Sequence, residues 1–328
     1  MDLAKKVLQG DVLAAARLIR NLEDEVEGAE EELDALYVNT GRAQIVGITG
    51  APGVGKSTLL GCLIGAFRRK GMKVGVVAVD PSSPFSGGAI LGDRVRMQAY
   101  GVDKEVFIRS LASRGWKGGL SRATVNTMHV MDAMGKDIVL VEAVGSGQAD
   151  IDIARISDSA VLVLNPGVGD DVQMMKAGIL EAADIFVINK SDVAGADRLK
   201  HDLEVMLAMS ARKATETAWQ PPVVMAQAVC EKGTDEVAEA ALKHKEYLDA
   251  SGDLQRRRRE RARTELFWAL ENYVKNHIDN MEHGQLAQMV DNLARRKANP
   301  RSVILEIISQ MSSGGRDGLF AHRTAKDA

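Results

Sequence analysis

Three short stretches of this chain carry residue types whose spacing suits phosphate and base chemistry. In the first, Gly50-Ala51-Pro52-Gly53-Val54-Gly55-Lys56-Ser57-Thr58 fits the pattern G-x-x-x-x-G-K-[ST]. The glycines let the backbone wrap an anion closely and turn N–H groups toward phosphate oxygens. The start of a following helix adds a favourable field for the anion. Lys56 offers a cation to the terminal phosphates, and the Ser57 hydroxyl is placed to ligate magnesium. Before the loop, Gln44 to Thr49 reads as a buried strand; after it, Leu59 to Lys70 carries apolar residues at helical spacing. That strand–loop–helix context speaks against a chance Gly-rich turn.

The second set is acidic. Asp80 closes the strand pattern Val76-Val77-Ala78-Val79, where a carboxylate would point into the crevice at the carboxyl ends of a parallel sheet and could hold magnesium. The competing reading of Asp80 is a turn residue before Pro81. Asp93 follows a Gly-rich stretch and divides evenly between a metal-reaching carboxylate and a plain helix N-cap. Glu142 opens Glu142-Ala143-Val144-Gly145 after the strand pattern Asp137 to Val141. GTPases place D-x-x-G here, the acid handling magnesium and the glycine N–H meeting the γ-phosphate. A capping residue at a strand-to-loop turn is the alternative.

The third set reads a base. Asn189-Lys190-Ser191-Asp192 fits N-K-x-D at the end of the strand pattern Ile185 to Ile188, about 140 residues after the P-loop. The Asp192 carboxylate can accept from the ring N–H and the 2-amino group of guanine; adenine lacks both donors, which leaves buried acceptors unmet. Gln227-Ala228-Val229 stands where the last base-contacting loop of a GTPase would lie.

These residues need a scaffold that brings several strand ends together. Candidate strands are 44–49, 74–79, 105–109, 137–141, 159–164, 184–189 and 223–227. Most are continuous apolar runs, as in a parallel sheet covered on both faces. Helical patterns alternate with them, which predicts an α/β fold: a P-loop NTPase core with a mostly parallel sheet flanked by helices, plus helical extensions at both ends. Residues 1–40 read as an N-terminal helical extension of two helices, with Asp11 as an N-cap at the break. Residues 41–250 read as the nucleotide-binding domain and 251–328 as a C-terminal helical segment, with a break at Asn299-Pro300 and a loose tail from Ser312. The acidic run Glu23 to Glu32 reads as a solvated helix face, and the run Arg256 to Arg263 as the start of a solvated or interface-facing amphipathic helix.

The 328 residues are 45% hydrophobic and 27% charged, enough for a large core. A net charge of −3 and 4% aromatic residues argue against nucleic-acid binding. No stretch of about 18 apolar residues suggests a membrane span, and the N-terminus lacks the pattern of a secretory signal. Cys62 and Cys230, the two cysteines, form no metal or disulfide framework and read as reduced thiols in a cytoplasmic protein.

Taken in order, the motifs resemble those of the MeaB/ArgK-type P-loop GTPases, the family of the methylmalonic aciduria type A protein. The likeness runs from about residue 3 to about residue 280 and includes Val79-Asp80-Pro81-Ser82-Ser83, Gly87 to Met97, Pro166 to Gly178 and Asn189 to Asp192. It implies a homodimeric GTPase that binds GTP or GDP with magnesium. It implies that the GTPase gates cofactor loading of an adenosylcobalamin-dependent acyl-CoA mutase and protects or reactivates it, with a cobalamin adenosyltransferase as a further candidate partner. By resemblance, Lys56, Asp93 and Glu142 are the catalytic residues, and Ser57, Asp80, Asp93 and Glu142 handle the metal. Gly167 to Lys176 would be a switch that signals to the mutase, and the C-terminal helices the dimer contact. Two stretches depart from the family: Glu142 to Asp150, where it reads E-T-V-G-V-G-Q-S-E, and Arg114 to Leu120, near its T-L-G-G. The competing functions are a P-loop kinase or transport ATPase, which N-K-x-D opposes, and a metal-insertion GTPase, which scattered His and Cys oppose.

Overall fold

The computed structural model describes residues 2–80, 97, 100–112, 122–142, 148–167, 182–211, 218–279, 281 and 283–314. Each of the seven apolar runs forms a strand: β1 (Gln44–Thr49), β2 (Val74–Asp80), β3 (Val106–Ala112), β4 (Ile138–Glu142), β5 (Ser159–Leu164), β6 (Ile185–Ile188) and β7 (Val223–Met225). They make one sheet in the order β3-β2-β4-β1-β5-β6-β7, and every neighbouring pair is parallel. β1, β4, β5 and β6 are buried at every position, as strands covered on both faces must be.

The helices that cover them are α4 (Lys56–Arg69), α5 (Arg122–Ala133), α6 (Gln148–Ile156), α7 (Ala196–Ala211) and α8 (Thr234–Ser251). The helix after the P-loop, α4, is the centre of the core. Its Leu59, Leu60, Leu63, Ile64 and Phe67 are fully buried and join Ile48, Val76, Leu140, Val161 and the α8 residues Val237 and Ala241 in one cluster. Each such side chain contributes roughly 1.5–3 kcal/mol by leaving water, so the phosphate loop leads directly into a firmly anchored helix.

The amino ends of the strands are tied by aspartates that immediately precede a strand. Asp137, before β4, accepts from Lys73 N at 2.7 Å beside β2. Asp158, before β5, accepts from Ile45 N of β1 at 2.9 Å. Asp184, before β6, accepts from Ala160 N of β5 at 2.8 Å. Each carboxylate satisfies a backbone donor on, or just before, the neighbouring strand.

The N-terminal extension is three helices, not the two expected: α1 (Asp2–Leu8), α2 (Val12–Glu23) and α3 (Ala29–Tyr37). Asp11 caps α2 as expected, accepting from Leu13 N and Ala14 N. The extra break follows Glu23, where Gly28 adopts φ 83° ahead of α3, a conformation glycine takes without strain. The acidic run there is not merely solvated. Glu23 pairs with Arg109 of β3, Glu30 pairs with Arg122 of α5, and buried Glu32 accepts from Ala4 N at 2.8 Å.

The chain divides into two compact units, residues 1–264 and 265–328. The first contains the sheet and the start of α9 (Asp253–Asp279). There the Arg run departs from its expected role as a solvated or interface-facing surface. Arg257 donates to both oxygens of Asp184 at 2.9 and 2.6 Å, and Arg261 donates to Asp158 at 3.2 Å. Arg256 follows the solvated reading, pairing along the helix with Asp253 and Glu260. The second unit contains the rest of α9, α10 (His283–Ala294) and α11 (Pro300–Gly314). Its core is Met289, Val303 and Ile307 with Ile278, Met281, Leu293 and Met311. Asn299 caps α11 by accepting from Ser302 N at 2.9 Å. Helix continues through residues 312–314, where the sequence suggests a loose tail.

Candidate functional site

The order of the sheet places the chemistry. β1 lies at its centre and ends in the P-loop. On one side are β4, ending at Glu142, and β2, ending at Asp80; on the other, beyond β5, are β6, followed by Asn189, and β7, followed by Gln227. Carboxylates thus flank the phosphate loop on one side, and the stretches carrying Asn189 and Gln227 on the other.

The loop's backbone depends on glycine. Gly50, Gly53 and Gly55 have φ of 144°, 80° and 96°. A Cβ on Gly50 would stand 2.2 Å from the Val163 carbonyl, and one on Gly55 would stand 2.4 Å from Asn189 Nδ2. Neither approach leaves room for a side chain. The loop's carbonyls are engaged from within the protein. Lys56 Nζ donates to Gly50 O at 2.8 Å and Ala51 O at 3.1 Å; Lys190 Nζ donates to Gly53 O at 2.9 Å; Asn189 Nδ2 donates to Val54 O at 2.8 Å. With carbonyls held this way and glycine torsions throughout, the loop fits an anion presented to its N–H groups. Pro52 lies in the exposed part of the loop, and Ser57 and Thr58 open α4.

Two hard oxygen donors meet beside it. The Ser57 hydroxyl donates to Glu142 Oε1 at 2.7 Å, and Glu142 is buried. This hydroxyl–carboxylate pair is the donor chemistry that magnesium takes, so the residues present fit that ion. Asp80 ends β2 in register with Ala112; its side chain lies outside the described residues. So do Asp93, Arg114 to Leu120, Ala143 to Gly147, and Asp170 to Lys176.

Beyond β6, Asn189 joins three loops. Its Nδ2 holds Val54 of the P-loop while its Oδ1 accepts from Ala228 N at 3.1 Å. Ala228 begins a short 3-10 helix, Ala228–Cys230, and is itself buried. Lys190 has φ 54°, a torsion uncommon outside glycine and often found at functional positions. Asp192 and Val229 are exposed and Gln227 is half-buried. One contact had no signal in the sequence: Cys62 of α4 donates its thiol to Ala228 O at 3.1 Å.

Comparison with known proteins agrees with this geometry. Residues 15–283 match the family model described as methylmalonyl Co-A mutase-associated GTPase MeaB. The chain belongs to the MeaB family of GTPases. It is therefore a nucleotide-binding enzyme that hydrolyses GTP. A relative from Pyrococcus abyssi, carried under the name of a GTPase, is 43% identical over 315 residues, covering 96% of this chain and 97% of that one. The mitochondrial methylmalonic aciduria type A homolog of Mus musculus is 32% identical over 254 residues, 76% of this chain and 60% of that one. Among solved structures, one titled LAO/AO transport system kinase has a TM-score of 0.66 at 26% identity, covering 95% of this chain and 97% of its own. Among the described residues no helix is long and apolar enough to cross a membrane.

Proposed function

We propose that this MeaB-family GTPase is a cytoplasmic metallochaperone whose GTP cycle gates adenosylcobalamin loading of a cobalamin-dependent acyl-CoA mutase, methylmalonyl-CoA mutase or a related one, and protects or reactivates it. The observation that carries the reading is the family match over residues 15–283, which spans both the nucleotide site and the start of the C-terminal helices. In this reading Gly50 to Thr58 hold the phosphates. Lys56 exchanges its two loop carbonyls for β- and γ-phosphate oxygens, a movement of one flexible side chain. Ser57 and Glu142 hold magnesium, with Asp80 and Asp93 as further carboxylates. Bound there, magnesium supplies charge neutralisation on the phosphate oxygens. Asp192 accepts from guanine, Asn189 fixes the base side to the phosphate side, and Gln227 to Val229 close over the base.

The second unit supports a homodimer. Leu266, Leu270 and Tyr273 recur at helical spacing along α9 and are more than half exposed, as is Leu305 of α11, and an exposed apolar stripe on a helix favours a protein interface. A cobalamin adenosyltransferase is a further partner in this reading. The test is gel filtration of the protein with adenosylcobalamin mutases, loaded with GDP or with a non-hydrolysable GTP analogue. A complex whose stability depends on the nucleotide supports the chaperone role; no complex with either nucleotide contradicts it.

A further inference from the structure

We propose that Cys62 is a positioning residue for the guanine-reading loop, an inference that rests on the guanine reading of Asn189 to Asp192. Four linked steps form a closed circuit. Cys62 Sγ donates to Ala228 O at 3.1 Å; Ala228 N donates to Asn189 Oδ1 at 3.1 Å; Asn189 Nδ2 donates to Val54 O at 2.8 Å. Val54 then leads through Gly55 into α4, the helix that carries Cys62. A nucleotide is a ruler of nearly fixed length between base and phosphates, so a site must hold its two loops at a matching separation. The Asn189 carboxamide sets that separation from the sheet side, and the Cys62 thiol sets it from the helix side.

The chemistry of the thiol suits this use. Burial, with a smaller contribution from Glu231, pushes its pKa above the ordinary value, so the sulfur keeps the proton it donates. Ala228 O also accepts from Glu231 N at 3.1 Å, closing the 3-10 turn. Cys62 therefore grips a turn that is already rigid. Arg69, further along α4, pairs with Asp235 at 2.8 Å at the start of α8. That pair is exposed and weak, as is the Arg69–Glu231 pair at 3.8 Å; Ala228 also packs in the apolar cluster of α4, and the Cys62 thiol adds a directional hydrogen bond to that non-directional contact.

The experiment compares Cys62→Val, which removes the donor, with Cys62→Ser, which keeps one. Affinities are measured for GDP, for ADP and for inorganic tripolyphosphate, which engages the P-loop without a base. Cys62→Val should weaken GDP by about three- to tenfold, while tripolyphosphate binding stays at the wild-type value. Cys62→Ser should restore GDP affinity to within about twofold of wild type. Equal GDP affinity in Cys62→Val and wild type overturns the inference, as does an equal loss in Cys62→Ser or a parallel loss for tripolyphosphate. If Cys62→Val fails to fold, alkylation of the wild-type thiols by iodoacetamide decides, with exposed Cys230 as internal reference. GDP should slow labelling of Cys62 relative to Cys230 more than tripolyphosphate does; equal slowing, or none, overturns the proposal. A wild-type protein that binds ADP as tightly as GDP would instead remove the guanine reading itself.

Discussion

The Ser57 hydroxyl lies 2.7 Å from Glu142 Oε1, joining the first turn of the P-loop helix to the end of the strand beside β1. In the proposed site Ser57 and Glu142 would both hold magnesium, which would neutralise charge on the phosphate oxygens. Glu142→Ala should lower kcat for GTP hydrolysis by about 10²–10³ and raise the magnesium concentration giving half the maximal rate. A magnesium titration of steady-state hydrolysis checks both. An unchanged magnesium requirement would remove Glu142 from the metal site.

Asp192 sits exposed after β6, on the base side. Asp192→Asn turns one carboxylate acceptor into a donor facing the guanine donors. GTP binding should weaken by about 2–3 kcal/mol, or roughly thirty- to hundred-and-fiftyfold, by calorimetric titration. Loss of preference for GTP over ATP should accompany it.

His244 tests the base of the sheet. It is fully buried, 2.8 Å from Ser159 Oγ through Nδ1 and 3.4 Å from Asp184 Oδ1 through Nε2. Ser159 Oγ also accepts from Gln44 Nε2 at 3.1 Å, so the imidazole, Ser159 and Gln44 form one buried polar cluster at the base of the sheet. Burial pulls the pKa down from 6.5 to about 4, against the opposing pull of Asp184. The folded state therefore disfavours the proton that the unfolded chain accepts below about pH 6.5. This group's contribution is full above about 6.5, falls as pH drops toward about 4, and changes no further below that. At about 1.36 kcal/mol per pH unit, the loss is about 3 kcal/mol. Urea unfolding between about pH 7 and pH 4 should show this slope, and His244→Asn should remove it.

Arg257 and Arg256 are neighbours in sequence with unlike work. Arg257→Ala leaves the buried carboxylate of Asp184 without its bidentate partner and should cost about 3 kcal/mol. Arg256→Ala removes exposed pairs within α9 and should cost about 0.5 kcal/mol or less. Thermal unfolding of the two variants measures the difference; equal effects would contradict the docking of α9 on Asp184.

The strands, their parallel pairing and the P-loop are legible in the sequence because burial on both faces writes itself as unbroken apolar runs. The run Ile138-Val139-Leu140-Val141 of β4 is one of them, and every position of that strand is buried. No polar alternation obscures it. The nucleotide motifs are equally plain, since each is a local string at the end of such a run.

Other features were not legible because they depend on which strands become neighbours. Asp137, Asp158 and Asp184 each stand just before a strand in the sequence, but their backbone partners Lys73, Ile45 and Ala160 follow only from the order of the sheet. The inward turn of Arg257 and Arg261 has the same origin: a charge run reads as solvated until the carboxylates facing it are known. Cys62 reads as a small residue on an apolar helix, and its contact with Ala228 spans 166 positions.

The most direct test of the central claim is a steady-state GTPase assay with and without an adenosylcobalamin-dependent acyl-CoA mutase. No arginine occurs in Gly50 to Thr58 or in Glu142 to Asp150, so neither loop supplies a cationic finger of its own. Hydrolysis by the isolated protein should be slow, and a partner that supplies charge or orders the site can raise such a rate by up to about 10³–10⁵. The account predicts a slow basal rate, a clear rise with the mutase, and a complex of the two proteins on gel filtration. A fast basal rate that the mutase leaves unchanged, with no complex, would contradict it.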